Sequence, residues 1–179
     1  MKAKTILLVI SRILFMTILF IIQIFISNLL PVPFNKINVI LLAMMAALVF
    51  SIAKDFLPYL FGLSLLTELF HVTPFGFMTA SLLVSMFILE WLLVNVLTNR
   101  FFMIVFIAGI IGVFSYRLFY IILSYFWRAI AEGSFVINSA ALLGFGQEII
   151  MNASALTLIY IAASLFLRKL NPRYVINDY

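Results

Sequence analysis

Residues 5–27 read TILLVISRILFMTILFIIQIFIS. A helix that crosses a bilayer needs roughly 20 consecutive apolar residues. This run supplies that length with a single charge, Arg12, and with no proline or glycine. Lys2 and Lys4 precede it, as in a secretory signal. A signal's apolar region is only about 7–15 residues long and ends at a small-residue cleavage site. Here the run passes Ile26 and reaches Ser27 and Asn28 without such a site. It reads as a retained first transmembrane helix.

The composition agrees. Of 179 residues, 66% are hydrophobic and 9% charged, against about 45–50% and 25% in soluble domains. A soluble fold of this size has too little interior for that much apolar surface, whereas lipid accepts it directly. The remaining apolar runs predict helices over residues 38–53, 56–70, 75–97, 101–126 and 145–167. Pro31 and Pro33 interrupt the chain after the first helix, Lys54-Asp55 after the second, and His71–Pro74 after the third. A longer connection, residues 127–143, has room for a short interfacial helix. The third run is short for a bilayer, and Pro58 falls near its start, where proline is tolerated. The expected fold is all-α: a polytopic transmembrane bundle of about six helices forming one integral membrane domain over residues 1–179.

Charge sets the expected orientation, because basic residues favour the cytoplasmic side. The chain has eleven Lys and Arg. With the N-terminus inside, Lys36 and Arg128 fall outside, Arg117 lies within the fifth helix, and the other eight fall inside. The net charge of +5 is therefore spread over helix ends rather than gathered in a nucleic-acid-binding patch. An even number of crossings returns the C-terminus to the cytoplasm.

Ionisable groups inside a bilayer are costly and usually paired or functional. Arg12 lies about 10 Å into the first helix, at 1.5 Å per residue. Glu90 lies at a similar depth in the fourth, so an inner pair Arg12–Glu90 is expected. An outer cluster would join Arg117 to Glu68 or Glu148. The competing expectation is that each long side chain snorkels to its nearest headgroup layer. These five residues are the candidates for an intramembrane polar network or for docking a partner. None sits at the midplane on a helix broken by Gly or Pro, so a proton path is not expected.

Small residues let membrane helices approach closely. Ala43 and Ala47, Ser81 and Ser85, and Ala108 and Gly112 each stand four apart, while Gly62 and Ser64 give the third helix a small face. These spacings point to internal packing, with a partner interface or self-association as the competing use. Enzyme signatures are missing: there is no cysteine, no G-x-S-x-G, no Walker A and no H-E-x-x-H. Glu68 and His71 share a helical spacing, but a metal needs three or four ligands. No catalytic activity, metal or cofactor is expected.

Residues 62–92 read GLSLLTELFHVTPFGFMTASLLVSMFILEWL. This stretch resembles the rod shape-determining MreD family of bacteria, within a wider resemblance over about residues 37–123. The family has a glycine-containing helix ending in an acid, a short turn, and a glycine eight residues after the acid that opens a long apolar helix. Glu68 and Gly76 take those two places, and Thr73-Pro74-Phe75-Gly76 resembles the family's turn. The departures are Glu where the family usually has Asp, Ser64 four residues before it with Gly62 offset by two, and Ile37-Asn38-Val39 where the family often has Pro-Asp-Leu.

The resemblance implies a non-enzymatic component of the cell-elongation machinery in the bacterial cytoplasmic membrane. Such a component acts with MreC, and through it with MreB, RodA and the elongation transpeptidase, to regulate lateral peptidoglycan synthesis and so cell shape. The family is also similar in fold to the S components of energy-coupling vitamin and metal transporters, which supplies the alternative function. An S component needs an outward polar pocket, for which Glu68, His71, Arg117, Asn138, Gln147 and Glu148 are available. It also usually docks through an alanine-spaced face on the first helix, and here that helix is bulky throughout.

Overall fold

In lipid every backbone amide must be satisfied within the protein, so apolar runs become helices. The computed structural model describes residues 2–50, 52–70, 74–96, 102–131 and 139–170. They form an all-helical bundle: α1 (Lys2–Leu29), α2 (Val39–Val49), α3 (Ala53–Glu68), α4 (Phe77–Asn95), α5 (Phe102–Ala131) and α6 (Ser139–Leu170). A short 3₁₀ turn, Phe34–Lys36, lies between α1 and α2. Of the connection expected over residues 127–143, residues 127–131 and 139–143 are helical. Trp127 belongs to α5 and packs edge-on against Phe77 of α4 at 6.0 Å.

Six helices form where six apolar runs predict them, but they are not six equal crossings. The segments Val9–Leu29, Phe77–Asn95, Phe102–Ile130 and Gly144–Phe166 are long and apolar enough to cross a membrane. α2 has 11 residues and α3 has 16. At 1.5 Å per residue these reach about 16 and 24 Å, short of the roughly 30 Å hydrocarbon layer. The expected six helices are therefore four long ones and a short pair, and α2, not α3, is the shortest element. The Asn38 side chain caps α2 at its start. At its end Phe50 and Ile52 donate their amides back to the carbonyls of Ala46 and Ala47, both at 2.9 Å, and the chain reverses.

The shorter of the two, α2, is tolerated because protein surrounds it. Eight of the eleven residues of α2 are buried, as expected of a helix that is apolar all round. α3 begins three residues earlier than its apolar run, so Pro58 lies inside the helix rather than at its start. The pair runs down and back beside α1. Gln23 of α1 meets the start of α2, Phe15 meets Phe56 at the start of α3 at 6.0 Å, and Phe20 meets Phe70 just past its end at 5.7 Å. α2 therefore starts, and α3 ends, at the same end of the bundle.

The long frame is tightest around α5. A Cβ added at Gly109 would stand 3.0 Å from the Ala153 Cα of α6. One added at Gly112 would stand 2.7 Å from the Met45 sulfur of α2. Ser85 of α4 donates its hydroxyl to the Gly112 carbonyl at 2.7 Å. The core lies between α2 and this frame, around Leu41, Met45, Leu82, Leu89 and Val113, all fully buried. α1 stands to one side, with only 6% of its apolar window buried.

Candidate functional site

The polar side chains that matter gather where α1 and α3 approach their C-termini and α2 and α4 begin, level with the middle of α5 and the first half of α6. A helix start presents unbonded N–H groups and the positive end of the helix dipole. α4 begins at Gly76, whose φ of +97° is left-handed and suits glycine. Glu68, at the end of α3, turns onto that start. Its Oε1 accepts from the Met78 amide at 2.6 Å and its Oε2 from the Thr79 hydroxyl at 2.7 Å. The carboxylate is 1% exposed. Ser64, one turn earlier on α3, is buried with its hydroxyl 3.3 Å from that of Thr79. Acid, turn and glycine thus form one device, in which the acid caps the helix that the glycine opens. Pro74, Phe75 and Gly76 of the turn are described, whereas His71 and Thr73 lie outside the described residues.

The start of α2 is satisfied by three side chains from three elements. The Leu41 amide donates to Asn38 Oδ1 at 3.1 Å, and the Val39 amide to Gln23 Oε1 of α1 at 2.6 Å. The Asn38 amide donates to Asn152 Oδ1 of α6 at 2.8 Å. Asn152, wholly buried, donates its Nδ2 to the Lys36 carbonyl at 3.0 Å and to the Glu148 carbonyl at 2.8 Å. Its amide thus ties α6 to the turn that feeds α2. Without these partners α2 would begin inside an apolar medium with bare N–H groups, each costing several kcal/mol.

Arg117 of α5 and Glu148 of α6 form an ion pair, Nε to Oε2, at 3.2 Å. The Arg117 guanidinium also lies 5.5 Å from the centre of the Tyr120 ring, a distance at which ring and cation attract. The pair borders a polar cavity of about 180 Å³ shared with Gln23, Asn35, Lys36 and Asn38. Of the six residues proposed for an outward pocket, Arg117 and Glu148 line it. Glu68 is committed to the α4 cap, Gln147 is exposed, and Asn138, like His71, lies outside the described residues.

The expected inner pair does not form. Arg12 approaches the Tyr59 hydroxyl at 3.4 Å and lies over the Tyr59 and Phe56 rings at 5.2 and 5.8 Å. Glu90 is exposed and borders a separate hollow beside Leu57, Pro58 and Phe61. At 100° per residue these two groups of α3 residues face opposite ways, so α3 stands between the arginine and the acid. Among the packing candidates, Ser64, Ala108 and Gly112 are buried, whereas Gly62 is exposed and a Cβ there would meet nothing within 4 Å. Gly62 packs on no neighbouring described helix.

Asn152, Asn38 and Gln23 are not among the residues that the sequence singles out, because charge directs that choice toward other positions. The usable signal was polarity out of place: Asn152 interrupts the apolar run from residue 145 to 167, and Gln23 interrupts the first. Among the described residues no group of three or more His, Cys, Asp or Glu could hold a metal ion. No protein-family model, curated protein or solved structure matches the chain.

Proposed function

We propose that the chain is a non-enzymatic membrane scaffold or regulator of bacterial cell elongation, acting with an MreC-like partner in lateral peptidoglycan synthesis. The observation that carries this reading is the Glu68 cap on α4. The two positions on which the resemblance rests, Glu68 and Gly76, have a shared physical task, and it is architectural. The polar residues of the bundle are spent in the same way on α2. A second feature supports it. Leu7, Ile10, Leu14, Ile18, Ile21 and Phe25 are exposed on α1 at spacings of three and four, a stripe along which a single-span helix can pack. The stripe is bulky, which weighs against docking as a transporter S component. On this reading the chain lies in the bacterial cytoplasmic membrane with both termini inside. The short α2–α3 pair leaves and returns at one end, so it does not alter that parity.

The test is complementation of cell shape. Cells depleted of the native protein and supplied with Glu68→Ala should round up although the variant still inserts. Normal rods at equal membrane levels would count against the proposal.

A further inference from the structure

We propose that the polar cavity between Lys36, Arg117 and Asn35 binds a small oxyanion. This goes beyond the scaffold reading and does not depend on it. The argument starts from charge. Lys36 and Arg117 face the cavity with Glu148 as the one carboxylate, and Glu148 is engaged by Arg117. One positive charge is left over, facing the cavity. A positive charge held there attracts an anion.

The donors agree with the charge. Among the described residues, neither the Arg117 guanidinium nor the Lys36 ammonium donates a hydrogen bond to side chain or backbone. Arg117 engages Glu148 through Nε, and its side chain is 31% exposed against 8% for the glutamate. The terminal nitrogens of a guanidinium form a fork suited to carboxylate or phosphate oxygens. The walls that complete the cavity, Tyr116 and Tyr120 among them, leave about 180 Å³. That is below the roughly 300–1,000 Å³ of drug-sized sites and suits a small group. A small carboxylate, a phosphate monoester or the phosphate of a phosphoglycerol lipid headgroup presents this chemistry.

The experiment uses the purified full-length protein in neutral detergent. Phosphatidylglycerol is the lipid probe, and lactate and glycerol 3-phosphate are the soluble ones. Phosphatidylcholine and glycerol serve as controls without net charge. Native mass spectrometry reads retention and thermal unfolding reads stabilisation. At least one anionic probe should bind and raise the unfolding midpoint. Phosphatidylglycerol alone would identify a lipid source, the soluble probes a solute. Binding should fall about tenfold in Lys36→Gln, which leaves the Arg117–Glu148 pair intact and so separates ligand loss from misfolding. No anionic probe binding above the controls, or undiminished binding by Lys36→Gln, would overturn the proposal.

Discussion

Glu68 and Met78 meet at 2.6 Å, a buried carboxylate oxygen of α3 on a backbone amide in the first turn of α4. The contact joins two helices across a turn and satisfies a helix start in one step. Removing it leaves the Met78 amide and the Thr79 hydroxyl without their acceptor. Glu68→Ala should destabilise the protein by about 2–4 kcal/mol, the range for hydrogen bonds to a charged group plus the orphaned donors. Glu68→Gln keeps an acceptor for Met78 and should cost less. Unfolding in mixed micelles, titrated with denaturing detergent, measures both. Equal stability of Glu68→Ala and the parent would show that the cap contributes nothing.

Asn152 makes the corresponding contact for α2, with one acceptor and two donor bonds. Asn152→Leu keeps the number and branching of side-chain heavy atoms and removes all three bonds. We expect a loss of about 2–3 kcal/mol and faster hydrogen exchange at the Asn38 amide. Asn152→Asp retains the acceptor for Asn38 and should protect that amide while still weakening the hold on Lys36. Unchanged exchange at Asn38 in the leucine variant would argue against the link between α6 and α2.

The glycines separate into classes that a substitution series can read. At Gly109 a Cβ meets the Ala153 backbone at 3.0 Å, so Gly109→Ala should cost about 1–3 kcal/mol by forcing α5 from α6. At Gly112 the obstacle is the end of the Met45 side chain, which can swing aside, so the cost should be smaller. At Gly62 the space is open, and alanine should be neutral or stabilise by about 0.5–1 kcal/mol through helix propensity. The order Gly109, Gly112, Gly62 in thermal unfolding is the prediction. A reversed order would mean the α5–α6 contact is not close.

For Arg117 and Glu148 a double-mutant cycle is the appropriate measurement. Arg117→Gln strands a buried carboxylate, whereas Glu148→Gln strands a half-exposed arginine, and each should destabilise. The double variant should recover about 1–2 kcal/mol of the summed loss. Strict additivity would indicate that the 3.2 Å approach carries no coupling.

The sequence made the number and order of the helices legible because lipid imposes a simple length rule on apolar runs. It left the depth of α2 and α3 open, because a short apolar run looks alike whether it faces lipid or lies wrapped in protein. The Asn38 cap and the Phe50–Ile52 reversal decide that depth, and neither is an apolar signal. Glu68, Arg117 and Glu148 stand out by charge alone. Their sorting into a cap and an ion pair requires knowing that α4 starts within reach of Glu68. Depth arithmetic put Arg12 and Glu90 at one level but could not show that α3 separates them. Asn152 makes three hydrogen bonds, yet as a neutral amide it attracts no charge-based reading.

Affinity capture from mildly solubilised membranes tests the proposed function most directly. The tagged full-length chain is isolated and the co-purifying proteins are identified and quantified against an untagged control. The account predicts recovery of an MreC-like protein, with the elongation glycosyltransferase and transpeptidase behind it, and reduced recovery with Glu68→Ala. Recovery of paired ATPases with a membrane coupling subunit, and no elongation protein, would contradict it.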